Sequence, residues 1–379
     1  MEPALHLTND TEHVKSLIRS LTKEETISYL KVRGIDGAED LTTKLSLDDI
    51  LEFILSDDSH SQIINDLQRI REVAQEVEEE TFRELCKIYG LTLNFQDSLK
   101  LCVAKCLIEK EEFLAKIHSL SAVKKQNDFE MLGGKPTEQK INLTAAHKLS
   151  IVKSLKQLIE EEEPGRNYNV QLEQIEHEVL LNAYFEDRTK TFNTINGKKI
   201  ETVKITPASK AQAKYNLKEN RLSLKYGTSK KIRRYLIESF GETFFNDNNH
   251  FDDPEHKVVY SPKVFESGTL NLSIDEDEDE LLDVKIIEES IKIQLEEQEV
   301  NLIIKGNDTE SVLEKLIRKE IDLRTQSRLY VILALTVKVG EKERKVRIKV
   351  SDNNKISYDP RFSEVVSKYL RKWGVEVVG

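Results

Sequence analysis

Two groups of side chains in this 379-residue sequence are of types that do chemistry, and the first is a polar loop. It holds His250, Asp252, Asp253 and His256. Imidazoles and carboxylates at this spacing could bind a divalent metal ion that activates water for hydrolysis. Aspartates close to Pro254 are also turn formers, so a polar surface loop is favoured over a metal site.

Acid–lysine pairs of nuclease type also occur, as in Asp283 with Lys285 and Glu343 with Lys345. With 68 acidic and 57 basic residues, such pairs arise by chance. The motifs GxGxxG, GxSxG, HExxH and CxxC and the P-loop are missing from the sequence. We therefore predict that the protein is not an enzyme, with no catalytic residue, no metal and no cofactor. The alternative is a metal-dependent nuclease of a defence or repair system that uses the 250–256 loop or Asp283.

The second group is cationic. The stretch LSLKYGTSKKIRRYL, 222–236, has five Lys or Arg residues and no acid in a chain of formal net charge −11. From Arg188 to Arg234 there are 14 basic residues against Glu201 and Glu219. A cluster of one sign attracts polyanions, whereas a solvated face usually mixes both signs. A nucleic-acid surface is favoured over solubilising charge that the acidic run 275–280 would neutralise.

The predicted helix Ser229–Phe245 places its basic residues in its first turns, where the helix dipole disfavours them. A bound anion would reverse that effect, and Gly227, Thr228 and Ser229 supply backbone N–H groups and hydroxyls for a phosphate. Strand alternation around Lys198, Ile200 and Lys204 is expected to separate basic from apolar side chains, which predicts one positive surface. The predicted nucleic-acid-binding residues are Lys198, Lys199, Lys204, Lys210, Lys214, Lys225, Thr228, Ser229, Lys230, Lys231, Arg233 and Arg234.

The elements around these residues predict an α+β protein. Apolar residues three or four apart indicate a helical bundle of about five helices over 1–123, with Cys86, Cys102 and Cys106 as core side chains rather than metal ligands. A linker is expected at 124–140, a domain of one helix with a basic sheet and helix at 141–257, and a C-terminal α+β domain at 258–379. The region after the bundle is expected to contain a mixed sheet.

Three stretches resemble the centromere protein N family of kinetochore proteins: LTKEETISYLKVRGIDGAEDLTTKLSLDDILEFIL, KYNLKENRLSLKYGTSKKIRRYLIESFGETFF and VNLIIKGNDTESVLEKLI. The resemblance implies a death-fold helical bundle and a non-catalytic protein that holds DNA and nucleosomal protein in a basic groove. It also implies pairing with a related subunit through the C-terminal part. Its basic positions correspond, as a class, to Lys225, Lys230, Lys231, Arg233 and Arg234.

We therefore predict a non-catalytic nucleic-acid-binding adaptor, with DNA favoured, that also binds a protein partner, expected to be a related α+β subunit. A structural subunit whose basic surface docks an acidic protein is a further alternative. No membrane segment, signal peptide or disulfide framework is expected. The predicted location is intracellular: chromosomal or nuclear in a eukaryote, cytoplasmic or nucleoid in a prokaryote.

Overall fold

The computed structural model describes residues 4–94, 96–126, 128–138, 141–162, 167–187, 189–196, 199–227, 230–266, 272–274, 280–295, 298–309, 312–313 and 322–377. The chain forms two compact units, Met1–Lys125 and Gln126–Gly379. Helices dominate the first unit and an antiparallel sheet with helices makes up the second, so the predicted α+β class is confirmed.

The first unit contains seven described helices. They are α1 (Ala4–Leu21), α2 (Lys23–Arg33), α3 (Leu47–Ser56), α4 (His60–Glu76), α5 (Glu79–Ile88), α6 (Leu99–Glu109) and α7 (Glu111–Lys125). Their apolar faces bury residues such as Leu30, Ile50 and Leu67, together with all three cysteines. The death-fold likeness of this unit stays a prediction.

Side-chain caps set several of these helix boundaries. Ser46 and Asp49 form a capping box at the start of α3, and Gly34 ends α2 in the left-handed conformation that glycine adopts readily. One long helix was expected over 61–90, but Glu78 accepts hydrogen bonds from the backbone of Glu80 and Thr81. A new helix therefore begins at Glu79, and a second break at Lys110 separates α6 from α7, so seven helices are described instead of about five.

The second unit is built on one sheet with the strand order β2-β3-β6-β7-β1-β12-β11-β10-β8-β9. All described strand pairs are antiparallel, so the expected mixed sheet is wrong. The strands are β1 (Glu130–Gly133), β2 (Tyr168–Ile175), β3 (Glu178–Glu186), β6 (Ala208–Asn216), β7 (Arg221–Lys225), β8 (Leu281–Leu295), β9 (Gln298–Lys305), β10 (Ser327–Val339), β11 (Lys342–Ser351) and β12 (Lys355–Ser357). A separate hairpin pairs β4 (Lys190–Asn196) with β5 (Lys199–Ile205).

Helices cover the two halves of this sheet on opposite faces. Helices α8 (Ala145–Glu162) and α9 (Lys230–Phe245) pack on Leu222 and Leu224 of β7 and on the neighbouring strands. Helix α10 (Ser363–Lys372) packs instead on Val346, Ile348 and Val350 of β11. The surface of β11 opposite to α10 therefore stays in contact with solvent.

The sheet is continuous through the expected linker and across the expected domain boundary at 257/258. Residues Glu130–Gly133 form β1, which pairs with β7 on one side and with β12 on the other. Among the described helices, none is both long enough and apolar enough to span a membrane.

Candidate nucleic-acid interface

The predicted binding residues lie partly outside the described chain. Lys198, Thr228 and Ser229 are not among the described residues, and of Lys199 only the backbone, in β5, is described. The proposed phosphate site at the hydroxyls before α9 therefore stays a prediction. Helix α9 itself begins at Lys230, and Lys230 and Lys231 are exposed there.

Arg233 is neutralised within the protein by a buried glutamate. Its Nε lies 2.9 Å from Oε2 of Glu130 and its Nη2 lies 2.6 Å from Oε1. These hydrogen bonds raise the pKa of Arg233 above its ordinary value. Tyr226 donates to the same carboxylate, and burial followed by this bond raises the pKa of Tyr226 to about 12. Arg233 thus anchors α9 to β1 and has little charge left for a ligand.

Other predicted cations are also engaged by partners in the protein. Lys225 pairs with Asp128 at 2.8 Å, and Arg234 pairs with Glu238 one helical turn away at 2.9 Å. Nζ of Lys214 donates to the backbone carbonyl of Gln126. Lys225, Arg233 and Arg234 therefore each have a counter-charge within the protein.

The predicted basic residues do not share one surface either. Lys210, Lys214 and Lys225 lie on the face opposite to the apolar residues Ala213 and Leu224, which pack under α9. Residues on α9 lie on the other side of the sheet. Sequence alternation could not show this, because the side of each residue depends on which strands pair.

The hairpin of β4 and β5 also does not separate basic from apolar side chains as expected. Ile200 and Lys204 are four residues apart in one strand, so they point to the same side of the hairpin rather than to opposite sides. Lys204 and, at the base of the hairpin, Lys210 are exposed and have no ion-pair partner among the described residues.

A row of exposed cations lies on β11, a strand that contains none of the residues predicted to bind nucleic acid. Lys345, Arg347 and Lys349 alternate along it with buried Val346 and Ile348. All three cations are exposed, and none has an ion-pair partner within the described part of the chain. Lys349 lies 4.2 Å from the centroid of the Tyr330 ring, a cation–π contact. The sequence signal was present in KVRIKV, where Lys or Arg and an aliphatic residue alternate with period two.

Register places this row of cations on the side of the sheet that carries α9. Directly opposed residues in antiparallel strands share a face. Leu224, under α9, is opposite Glu130, Glu130 is opposite Lys355, and Lys355 is opposite Ser351. Ser351 shares its face with Lys349, two residues earlier in β11. We call the solvent-facing surface that carries Lys345, Arg347, Lys349 and Lys355 the basic face.

The basic face also contains acids, and most of them are paired. Asp283 pairs with Lys285 at 3.0 Å, and Glu288 pairs with Lys305 at 3.2 Å. Tyr330 donates to Glu288, and this bond holds the pKa of Glu288 below its usual range. Glu343 lies opposite Lys338 at the end of the hairpin.

A cleft of about 400 Å³ borders the basic face where α9 meets the sheet. It is lined by three cationic residues, one acid and five neutral residues: Lys230, Arg233, Lys257, Glu130, Leu132, Tyr226, Val258, Asn353 and Asn354. Since Glu130 binds Arg233, Lys230 and Lys257 supply the remaining positive charge, and Lys257 itself pairs with Asp252 at 3.2 Å. Lys230 has no ion-pair partner among the described residues.

The polar loop brings together a different set of groups from the one expected. Potential ligand atoms of Asp253, Glu255 and His256 lie within 4.8 Å of one another. His256 Nδ1 is 3.1 Å from Asp253, whose pKa is lowered chiefly by the hydrogen bond from the Glu255 backbone. His250 is buried, stacks on Phe245 at 3.4 Å and bonds Asn220, so it is not available to a metal ion.

Comparison with known proteins adds no assignment: neither the protein-family models nor the curated proteins include a match to this chain.

Proposed function

We propose that the unit Gln126–Gly379 is a non-catalytic module that binds the phosphate backbone of nucleic acid, with DNA favoured, on the basic face. The observation that carries this proposal is the row Lys345, Arg347 and Lys349, exposed and without ion-pair partners among the described residues. The binding surface is thus displaced from the predicted stretch 188–234 to the other half of the same sheet, with Lys230 at its border.

The spacing of the row suits a repeating anion. A strand rises about 3.3 Å per residue, so side chains two apart are about 7 Å from one another. A linear array of cations at this spacing meets successive phosphates better than it meets a single carboxylate. Binding of this kind releases condensed counterions and weakens linearly with the logarithm of salt concentration.

The test compares unpaired with paired lysines on the same face. Binding of a fluorescent DNA is titrated at several salt concentrations for wild type, for Lys345→Ala with Arg347→Ala, and for the control Lys285→Ala with Lys305→Ala. We expect the first double variant to lower the salt slope by about 1 to 2, since each phosphate contact contributes about 0.9. The control cations already have carboxylate partners, so their removal should leave the slope close to that of wild type.

An equal loss in both double variants, or a slope that neither changes, would contradict the proposal. Saturable binding of an acidic protein in the absence of any DNA affinity would favour the structural-subunit alternative instead.

A metal-dependent nuclease is a second candidate, favoured by the grouping of Asp253, Glu255 and His256. This proposal expects Mg²⁺- or Mn²⁺-dependent cleavage of DNA that His256→Ala removes while DNA affinity is retained. Asn249→Ala, an exposed residue beside the same loop without a metal-ligating carboxylate or imidazole, is the control. Cleavage that persists in His256→Ala would overturn this candidate.

A protein partner is proposed at the β9 edge. Strand β9 ends the described sheet order, and its Val300 and Ile303 are 40% and 52% exposed. A sheet edge that pairs with no described strand and carries exposed apolar side chains is a template for pairing with a strand of another chain. We expect copurification of an α+β partner with wild type and its loss in Ile303→Lys, with Val339→Lys as an equally exposed control.

A further inference from the structure

The hairpin of β4 and β5 extends outward from the main sheet. The ladder of β3 and β6 ends at the pair Glu186 and Ala208, after which the Asp187 N–H donates to the Pro207 carbonyl at 2.8 Å. Strands β4 and β5 then pair with each other from Lys190 and Ile205 to Asn196 and Lys199. They belong to a two-stranded sheet of their own. We call the segment 189–206 the arm.

Four large apolar side chains of the arm are substantially exposed to solvent. Phe192 is 46% exposed, Ile200 74%, Val203 38% and Ile205 48%. Phe192 is directly opposite Val203, so these two side chains form a patch on one side of the ribbon, with Ile205 on the same side. An isolated two-stranded ribbon is marginally stable in water, so a ligand that covers this patch would also stabilise the arm.

The charge of the arm identifies the kind of ligand. Lys190 and Lys204 are exposed and have no ion-pair partner among the described residues. From 189 to 206 the sequence contains four basic residues and one acid, Glu201. A surface that combines cations with apolar and hydroxyl groups fits a polyanion with apolar components, as duplex DNA presents in its grooves.

Groove width then selects between the two grooves of the duplex. Paired strands lie about 4.8 Å apart before their side chains are added. The major groove, about 12 Å wide, admits a two-stranded ribbon, whereas the minor groove, about 6 Å wide, does not without deformation. Apolar side chains can contact the thymine methyl group in the major groove, and Asn or Thr side chains can bond base edges there.

We propose that the arm enters the major groove of duplex DNA. Phe192 and Val203 contact base edges, and Lys190, on the same side of the ribbon, contacts a flanking phosphate. This inference rests on the proposed function, since it names duplex DNA as the ligand of the unit whose basic face binds phosphates.

Two variants test the arm. In the first, a short turn replaces residues 189–206, which removes the arm beyond the last pair of the β3–β6 ladder. In the second, Phe192→Ser with Val203→Ser keeps every cation. Val339→Ser, at an equally exposed position beside the β10–β11 turn, is the matched control. Circular dichroism and the thermal transition establish that each variant folds.

The readout is chemical footprinting with dimethyl sulfate, which methylates guanine N7 in the major groove and adenine N3 in the minor groove. We expect wild type and Val339→Ser to protect guanine N7. Both arm variants should lose this protection, and the arm replacement should weaken duplex binding about tenfold or more. Protection of adenine N3 instead of guanine N7, or an unchanged N7 footprint after arm replacement, would overturn the inference.

The two proposals fail separately. If arm replacement leaves duplex affinity and footprint unchanged while Lys345→Ala with Arg347→Ala still lowers the salt slope, the inference about the arm is wrong. The proposal that the basic face binds phosphates is then still supported. If the arm variants lose N7 protection while Lys345→Ala with Arg347→Ala binds as wild type does, the arm inference holds and the basic face fails.

Discussion

The guanidinium of Arg233 is held by both carboxylate oxygens of Glu130, with Nη2 2.6 Å from Oε1 and Nε 2.9 Å from Oε2. This pair fastens the first turn of α9 to the short central strand β1. It also withdraws one cation from the border of the basic face. Arg233 is thus a stabilising contact of α9 rather than an unpaired surface cation.

Glu130→Gln should release Arg233 and reveal both effects. We expect stability in urea to fall by about 1 to 3 kcal/mol, because the half-buried guanidinium loses its counter-ion. The salt slope of DNA binding should rise by about 1, because Arg233 becomes able to neutralise a phosphate. Glu238→Gln, which frees the exposed Arg234, is the control and should change stability by less than about 0.5 kcal/mol. A slope that falls in Glu130→Gln would contradict this role of the pair.

Gly134 lies where a side chain does not fit. A Cβ at this position would come within 2.5 Å of both Asn220 Oδ1 and His250 Nε2. Asn220 cannot easily move, since its Nδ2 donates to the Lys135 carbonyl at 2.7 Å. We therefore expect Gly134→Ala to lower the free energy of unfolding by about 2 to 4 kcal/mol, measured in urea.

Gly306→Ala is the control for this substitution. Its Cβ would meet neighbours at 3.7 Å or more, an ordinary contact distance. An equal loss in the two variants would show that backbone freedom, rather than the close approach at Gly134, is responsible.

His250 should make stability depend on pH. Burial lowers its pKa to about 4 from an ordinary value of 6.5, so the unfolded chain binds the proton more readily. The contribution of neutral His250 to the free energy of unfolding is therefore complete above pH 6.5. It is lost as the pH falls towards 4, and this loss is at most about 3 kcal/mol. The carboxyl of Asp247, whose pKa Lys135 lowers below 3.8, contributes at lower pH.

The measurement is urea denaturation at pH 7 and pH 5 for wild type and His250→Gln. We expect the variant to lose stability at both values but to show a smaller difference between them. An unchanged difference would mean that other groups carry the pH dependence.

Arg328 and Glu289 form a buried ion pair, at 3% and 1% exposure, with Nε 2.9 Å from Oε2. Arg328 also donates to the Leu323 carbonyl at 2.9 Å. Glu289→Gln should therefore destabilise the second unit by about 3 kcal/mol, because a buried charge loses its partner. Glu299→Gln, which breaks the exposed pair with Lys292, should cost less than about 0.5 kcal/mol in the same assay.

Local signals in the sequence were sufficient to predict helix boundaries, but they were insufficient to predict which cations lie together on one exposed surface. The capping box at Ser46, the glycine that ends α2 and the helix up to Phe245 could all be predicted, because each depends on neighbours within a few residues. The strand at Glu130–Gly133 could not. Its four residues gain their pairing from β7 and β12, which lie about 90 and 220 residues further along the chain.

The sequence did not show which of the predicted cations have counter-charges in the folded protein. The cluster of basic residues around Arg233 is visible in the sequence. Its neutralisation is not, because Glu130, which pairs with Arg233, and Asp128, which pairs with Lys225, are about 100 residues away in the chain. On β11 the alternation of Lys349 with Val350 was visible, but which of its two faces α10 covers depends on tertiary packing.

The seam between the two halves of the sheet is narrow. Strand β1 meets β12 at one residue pair, Glu130 with Lys355. The Asn354 side chain reinforces this place by accepting from the Val259 and Tyr260 amides at 2.9 and 2.8 Å and donating to the Lys257 carbonyl. Asn354 therefore ties the segment 257–260 to the single residue pair that joins the two halves, so one amide side chain connects three separate parts of the chain at this junction.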